Sequence, residues 1–213
     1  QKLQAILLAV SFTKYFRPIS YIKPKVLLPL VNIPMLMYTI EFLAQNGVEE
    51  IFIFCVRHVE MIQHFVNKLS LPSNISIRCI LSRSCLSQGD ALRELDVMGI
   101  IRSDPFILIN GDVISNMDLR KAINFHKEKR QQDSNCIMTV VLKQIQKNSG
   151  VRPLSQDLVV AQDRHTSQLL LFDNDISNTN VKIPLEIFES HPGLRIRTDL
   201  LDCQIDICSP ELL

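Results

Sequence analysis

Four short, nearly continuous apolar runs are the feature of this sequence that most restricts its fold. They occupy residues 5–10, 51–56, 106–109 and 136–142. Each run is long enough for one strand and far shorter than the roughly 18–20 residues of a membrane span. Since the runs lack the polar alternation of a strand with one wet face, they predict strands that are covered on both sides, as in a mostly parallel sheet.

Helical patterns lie between these apolar runs. A helix is predicted after residue 32, with Asn32 as its N-cap, Pro34 in its first turn and Gly47 at its C-terminal end. Further helices are expected over residues 90–101 and around residues 119–126. Strands that alternate with helices indicate an α/β fold with right-handed crossovers.

The last third of the chain has a different pattern. Residues 158–161 and 169–172 predict two strands of a hairpin around a turn at 163–167, and residues 200–208 predict a further strand. The polar stretches 144–156 and 173–180 are predicted to be loops. Because no repeat or low-complexity linker interrupts the chain, we expect residues 1–213 to form a single domain.

Charge and cysteine spacing exclude several classes of function. The chain has 23 Lys and Arg residues against 22 Asp and Glu residues, a net charge of +1, so nucleic acid is not expected as its main partner. The six cysteines contain no C-x-x-C pair, and the five histidines show no ligand spacing. We therefore expect neither a zinc site nor a disulfide framework, but the reduced thiols of a cytosolic protein.

Glycine is scarce, and the first of the 6 glycines in the chain is Gly47. A loop that brings backbone N–H groups against a phosphate needs glycines, because a Cβ blocks the close approach. A glycine-rich phosphate-binding loop after the first predicted strand is therefore excluded.

Two residues nevertheless have the right chemistry for phosphate or metal binding. Asp112 follows Gly111 at the end of a predicted strand, where α/β sheets bind ligands, and its carboxylate could hold Mg²⁺. The same Gly-Asp pair also forms ordinary turns, which is the favoured interpretation. Lys25 could contact a phosphate as a point charge or be an ordinary surface lysine. The basic residues 126–130 are expected at a helix C-terminus, where cations interact favourably with the helix dipole.

Several segments, in order along the chain, resemble the sugar-nucleotidyltransferase family. Residues 23–34 are similar to the family pattern P-K-x-x-x-P-x-x-N-x-P, and residues 86–92 to L-G-T-A-x-A-L. Residues 106–112 are similar to F-x-x-x-N-G-D, and residues 205–211 to G-I-Y-x-x-x-P-E. The resemblance implies a Rossmann-like nucleotidyltransferase fold, α/β in class, with a mostly parallel central sheet flanked by helices.

The positions that carry the family's chemistry are mostly changed in this chain. An ungapped alignment from residue 18 puts three residues other than glycine at the glycines of the family's first loop, and a tyrosine at its arginine. A serine replaces the glycine of L-G-T-A, and residues 201–203 replace the family's N-A-G. The positions of this degenerate site are Val10, Ser11, Thr13, Tyr15, Lys25, Ser87 and Asp112. Only Lys25 and Asp112 match the family. The resemblance thus implies a site with no catalytic residues, no cofactor and no metal.

The pattern of losses is similar to one branch, the epsilon-subunit family of eukaryotic translation initiation factor 2B, a guanine-nucleotide exchange factor for the GTPase initiation factor 2. The similarity is carried by residues 11–12, 16–20, 47–50, 54–55, 102–104, 111–116, 138–140 and 199–203.

This second resemblance implies a scaffold and partner-binding domain that pairs with the gamma and other subunits in the cytosol and helps dock initiation factor 2. It implies no direct contact with nucleic acid or membrane. In the full subunit a left-handed β-helix and a C-terminal exchange domain would follow. The alternative that stays open is an active or ligand-regulated enzyme that makes a sugar nucleotide, which Lys25 and Asp112 favour.

Overall fold

The computed structural model describes residues 2–10, 16–82, 84–145, 158–174 and 181–213. The helices are α1 (Ile19–Ile22), α2 (Met35–Gln45), α3 (Val59–Asn67), α4 (Gln88–Met98), α5 (Arg120–Gln132) and α6 (Leu185–Ser190). The strands are β1 (Gln4–Leu8), β2 (Pro29–Leu30), β3 (Ile33–Pro34), β4 (Glu50–Cys55), β5 (Ser76–Leu81), β6 (Phe106–Asn110), β7 (Met138–Gln144), β8 (Val159–Asp163), β9 (Leu169–Asp173), β10 (Leu194–Arg197) and β11 (Leu200–Cys208). Two short 3₁₀ turns, Lys25–Leu27 and Pro210–Leu212, complete the elements.

The chain divides into two compact units. The first contains Gln1–Val141 together with Gln204–Leu213, and the second contains Leu142–Cys203. The largest sheet has six strands in the order β5-β4-β1-β6-β11-β7. Within it β1 pairs in parallel with β4 and β6, and β4 pairs in parallel with β5, whereas β11 runs antiparallel to β6. The predicted α/β fold with a mostly parallel sheet is therefore confirmed.

The three central parallel strands form the core, as their apolar runs predict. All five residues of β1 are buried, as are the last five of β4 and the first four of β6. Helix α2 contributes Leu36, Ile40 and Leu43, which are completely buried. The fourth apolar run behaves differently, because β7 lies at an edge of the sheet and its residues are half-buried or exposed.

Two helix boundaries differ from the prediction. Asn32 is not the N-cap of α2; it lies in the turn between β2 and β3, and the helix begins at Met35 because Pro34 pairs with Pro29 in the short hairpin. The predicted end at Gly47 is confirmed, since Gly47 follows the helix with a φ of 82°. Helix α4 stops at Met98 rather than at residue 101, because Gly99 takes the left-handed conformation that ends helices.

The apolar patterns predict neither α3 nor β5, which lie between β4 and α4. Strand β5 alternates between exposed and half-buried residues and forms an edge of the sheet, so it lacks the continuous apolar run that marked its neighbours. In α3 only Ile62 is buried. Both elements contribute too few buried residues to the core to produce a strong apolar pattern in the sequence.

The second unit contains a three-stranded antiparallel sheet in the order β10-β8-β9. The predicted hairpin is confirmed, and its turn is held by Asp163, whose Oδ1 accepts the backbone N–H groups of Thr166 at 2.9 Å and His165 at 2.7 Å. These hydrogen bonds lower the pKa of Asp163 to about 2. Residues 146–157 and 175–180, which make up most of the two predicted polar loops, lie outside the described residues.

A directed chain of hydrogen bonds fixes the buried side chain of His126 on α5. Ser209 Oγ donates its only proton to Asp104 Oδ1 at 3.0 Å. Ser209 Oγ must therefore accept the hydrogen bond from His126 Nε2, which is also 3.0 Å long. His126 Nδ1 then accepts the hydroxyl of Thr139 at 2.9 Å. The neutral imidazole with its proton on Nε2 satisfies every member of this chain.

Among the residues that the structure describes, no helix is long and apolar enough to cross a membrane. None of the six cysteines, all of which lie among the described residues, forms a disulfide, and three of them, Cys55, Cys85 and Cys208, are buried.

Candidate functional site

The carboxyl ends of β1 and β6 meet at one edge of the sheet, where the chain turns through Gly111 and Asp112. The Gly111 N–H donates to the Leu8 carbonyl at 2.9 Å. A Cβ built on Gly111 would lie 2.6 Å from Val26 Cγ1 and 2.8 Å from Leu7 Cδ2. Glycine is therefore required here because the turn packs directly on two core side chains.

Thr39 on α2 holds the chain that leaves this turn. Its buried hydroxyl lies 2.9 Å from the carbonyl oxygen of Val113 and 3.4 Å from that of Gly111. Together with the Gly111 packing, these contacts give the Gly-Asp pair a structural role as a turn. The backbone position of Asp112 is thus set by its neighbours.

Lys25 and Asp112, the two positions that match the family, form an ion pair through Lys25 Nζ and Asp112 Oδ2. Their side chains are 20% and 26% exposed, so both are partly shielded from water. Lys25 lies at the start of a 3₁₀ turn that is anchored by the buried Val26 and Leu27. Its ammonium also lies 4.7 Å from the centre of the Phe16 ring, a favourable cation–π distance. The lysine charge is therefore held by a carboxylate and an aromatic ring of the same chain.

Ser87 is the N-cap of α4 and forms a capping box with Asp90. Its hydroxyl accepts the Asp90 N–H at 3.1 Å, and the Asp90 carboxylate accepts the Ser87 N–H at 3.0 Å. Asp90 also accepts the Leu86 N–H at 3.1 Å and pairs with Arg93, and these contacts lower its pKa. The polar groups at this helix start are thus used to stabilise the helix itself.

A chain of side-chain amides beside Asp112 was missed by sequence reasoning. Asn110 Nδ2 donates to Gln204 Oε1 at 2.9 Å, and Gln88 Nε2 donates to Asn110 Oδ1 at 3.4 Å. Gln204 has a φ of 55°, a left-handed conformation that is uncommon for a residue other than glycine. Because Asn110 and Gln204 are 94 positions apart in the sequence, only the family motif around Asn110 gave any signal for this cluster.

Of the remaining predicted positions, only Val10 lies among the described residues. Val10 is half-buried and packs against the core cluster that contains Ile6 and Phe54. Ser11, Thr13 and Tyr15 lie outside the described residues. In the parts of the chain that the structure describes, no group of three or more His, Cys, Asp or Glu side chains is placed to hold a metal ion.

A cavity of about 430 Å³ lies elsewhere, near the amino ends of β1 and β4, and none of the predicted positions lines it. Gln4 forms part of its wall, and its amide is fully used. Its Nε2 donates to Glu50 at 2.7 Å, and its Oε1 accepts the backbone N–H groups of Arg102 and Ser103 at 2.6 and 2.9 Å. This cavity is separate from the predicted crevice at the carboxyl ends of the strands.

Comparisons with known proteins agree with the geometry of the sheet. The sequence model of the nucleotidyl transferase family matches residues 4–152. A glucose-1-phosphate thymidylyltransferase structure from Bacillus anthracis, described as putative, superposes with a TM-score of 0.71 at 15% identity. That alignment covers 98% of this chain and 72% of the other. At this identity, the structural likeness supports the fold alone.

Two curated relatives are much more similar in sequence. Translation initiation factor eIF2B subunit epsilon of Dictyostelium discoideum is 45% identical over 99% of this chain. The subunit of the same name from Schizosaccharomyces pombe is 43% identical, also over 99% of this chain. The chain spans only 30% and 31% of the lengths of these relatives. The family model matches more than half of the residues, and the mostly parallel sheet and the sequential order of the motifs agree with it. The chain therefore belongs to the nucleotidyl transferase family.

Proposed function

We propose that this chain is a scaffold and partner-binding domain of a translation initiation factor 2B subunit of the epsilon type, in which the ancestral nucleotidyltransferase activity is lost. The similarity over 99% of the chain to two epsilon subunits supports the assignment to this factor. The parent subunit would be a guanine-nucleotide exchange factor whose exchange activity resides in a different domain.

The ion pair between Lys25 and Asp112 is the observation that carries the proposed loss of activity. Transfer of a nucleotidyl group depends almost entirely on the positioning of phosphates and on cationic stabilisation of their charge. In this chain Lys25 is already paired with Asp112 and held against the Phe16 ring, and a metal on Asp112 would compete with the lysine for the carboxylate. Neither group is free to act on a substrate without breaking the existing pair.

The changes at the first loop and at α4 act in the same direction. Val10, Ser11 and Thr13 put side chains where the family has glycines, and Tyr15 removes a bidentate phosphate donor. Ser87 uses its hydroxyl as a helix cap. The chain keeps the sheet that the family uses as a frame while its phosphate-binding groups are replaced or paired internally.

The partners follow from the proposed assignment. The domain would pair with the gamma subunit and other subunits of initiation factor 2B in the cytosol, and the assembled factor would dock the GTPase initiation factor 2. The nearly balanced charge, with a net value of +1, gives no basis for direct binding to nucleic acid. We expect no cofactor and no contact with a membrane.

Two measurements on the full-length subunit test this proposal. In calorimetry with GTP and Mg²⁺, Asp112 should contribute nothing to any heat of binding. The unaltered subunit and its Asp112→Ala variant should therefore give the same heat. Mixed with the gamma subunit, the unaltered subunit should elute as a stable complex. Stoichiometric nucleotide binding that Asp112→Ala abolishes would refute the loss of the site, and separate elution of the subunits would refute the assembly role.

An active or ligand-regulated nucleotidyltransferase is the second candidate, because Lys25 and Asp112 both match the family motif. This function requires the ion pair to open when a nucleotide or sugar phosphate enters. The second candidate would be established if the subunit released pyrophosphate when given a sugar phosphate and a nucleoside triphosphate, and if Lys25→Met lost this activity. If no pyrophosphate is released and no sugar phosphate binds, the second candidate is rejected.

A further inference from the structure

The segment of residues 16–34, called here the docking segment, exposes an unusual number of large apolar side chains. Val31 is 85% exposed and Ile22 is 79% exposed. The other exposed members are Phe16, Ile19, Tyr21, Leu30 and Ile33. Single apolar residues on a protein surface are ordinary, but a concentration of them in one segment is typical of an interaction site.

Val31, at the tip of the β2–β3 hairpin, is unfavourable for this chain alone in two separate ways. Its φ is 59°, in the left-handed region that glycine tolerates and that a β-branched residue adopts only under strain. Its side chain is 85% exposed, so little packing within the chain offsets that strain. Strained residues of this kind cluster at sites where a protein acts on something else. A contact with another molecule would give the valine its missing packing.

The hairpin that presents Val31 is held in one conformation by its surroundings. Its two strands pair Pro29 with Pro34, and prolines restrict the backbone before any partner arrives. The Tyr38 hydroxyl donates to the Leu30 carbonyl at 3.3 Å, which ties the hairpin to α2. A surface ordered in advance loses less conformational entropy when it binds.

The charge of this region indicates the chemistry of the partner. No carboxylate precedes Glu41 in the sequence. Within the docking segment Lys25 is neutralised by Asp112, whereas Arg17 stacks over the Tyr21 ring at 5.3 Å and keeps its charge at the surface. Lys23 adds a second positive charge that is not offset within the segment. An apolar surface with positive charges fits a partner that combines an apolar pocket with carboxylates.

Two other occupants fit these observations less well. A second copy of this chain, placed with the docking segment against itself, would bring Arg17 and Lys23 close to their own copies without any carboxylate between them. An anionic membrane surface typically binds clusters of roughly four to eight lysines and arginines, and the docking segment has fewer. A protein with acidic residues around an apolar pocket is the occupant that satisfies both the charge and the exposed valine.

We propose that the docking segment binds another protein subunit, with Val31 inserted into an apolar pocket that is rimmed by carboxylates. This inference rests on the proposed function as an assembly domain and names the surface that would carry it. Val31 would act as the central apolar anchor, with Arg17 and Lys23 pairing at the rim of the contact. Anchors in such central positions provide a large share of the binding energy of protein interfaces.

Substitutions of Val31 in the full-length subunit test the proposal against a matched control. Val97 on α4 is 89% exposed and serves as the control, since it is an equally exposed valine outside the docking segment. We expect Val31→Gly to weaken binding to the partner subunits about tenfold or more, a typical effect of removing an anchor. Because glycine tolerates the positive φ, the same variant should keep or raise the melting temperature. Val31→Asp should weaken binding further, and Val97→Asp should change it less than about twofold.

Charge reversal tests the carboxylate rim independently. The double variant Arg17→Glu, Lys23→Glu should weaken the complex and reduce the dependence of its affinity on salt concentration. If the unaltered subunit assembles with its partners and the Val31 and charge variants assemble equally well, the docking segment is refuted while the assembly role stands. If the unaltered subunit does not assemble, both proposals fail.

Two further results would assign the segment to a different occupant and overturn the proposal. One is self-association of the subunit in sedimentation experiments that Val31→Asp abolishes, with partner binding unchanged. The other is binding to vesicles of phosphatidylcholine and phosphatidylserine that depends on Val31, again with partner binding unchanged.

Discussion

His126 is buried between two hydroxyl groups, and the neutral ring satisfies its hydrogen-bond chain. Burial lowers the pKa of His126 below its ordinary value of 6.5, and the nearby Arg130 acts in the same direction while Asp104 opposes it. In the unfolded chain the histidine takes up its proton near the ordinary pKa. Folding is therefore coupled to pH through this single side chain.

The sign of this coupling gives a measurable prediction. As the pH falls through 6.5 toward the lowered pKa of the folded state, the unfolded chain binds the proton first, so the free energy of unfolding decreases. Below the pKa of the folded state this loss levels off. Urea unfolding between about pH 7.5 and about pH 5.5 should show the loss in the unaltered protein and a smaller one in His126→Gln.

The exposed His64 on α3 provides the control for this experiment. His64→Gln should keep the pH dependence of the unaltered protein. An unchanged pH dependence in His126→Gln would show that other groups, rather than the buried histidine, produce it.

At the scale of single elements, the glycine in the turn after β6 has no room for a side chain, whereas the glycine at the start of α4 has room for one. Gly111→Ala would push a Cβ to within 2.6 Å of Val26 and 2.8 Å of Leu7, so we expect it to destabilise the fold by about 1–3 kcal/mol. Gly89 lies within helix α4, and a Cβ there would meet atoms no closer than 3.8 Å. Gly89→Ala should therefore stabilise the protein by about 0.5–1 kcal/mol.

Chemical denaturation of the two alanine variants measures both effects. Equal stabilities of Gly111→Ala and the unaltered protein would mean that the core around Val26 and Leu7 can expand to accept a methyl group. That result would contradict the tight packing from which the turn's structural role is derived.

The elements that could be predicted from sequence are those whose pattern reports burial directly. The runs in β1, β4 and β6 are apolar throughout because these strands are buried on both faces. Strand β5 gave no such signal because it lies at an edge. The Asn32 prediction was wrong because a helix cap and a hairpin turn favour the same residue type, and only the pairing of Pro29 with Pro34 distinguishes them.

The candidate site could be predicted in composition but not in geometry. The motifs single out Lys25 and Asp112, yet their ion pair joins residues 87 positions apart. Whether two such side chains face a ligand or each other depends on the packing between them, and Phe16 next to Lys25 carries no sequence signal of its own. The same limit hid Gln204, which reaches Asn110 only through the order of strands in the sheet.

For the whole molecule, the proposed loss of nucleotide binding predicts no stabilisation by nucleotide. A ligand present at 100 times its dissociation constant stabilises a folded protein by about 2.7 kcal/mol, which corresponds to roughly 5–10 °C in the melting temperature at this chain length. We expect GTP with Mg²⁺ at millimolar concentration to leave the melting temperature unchanged. An active member of the family measured in parallel should show the shift, and a comparable shift in this protein would contradict the proposal.

The position of β11 in the large sheet also has a consequence for synthesis on the ribosome. Its residues Ile205–Cys208 pair with Phe106–Ile109 of β6, so about a hundred residues of chain separate the two partners. At translation speeds of about 5–20 residues per second, the nascent chain waits roughly 5–20 s before β6 can acquire this neighbour. During that interval one edge of β6 is open to pairing with other nascent chains, so this domain is most prone to aggregate before β11 is made.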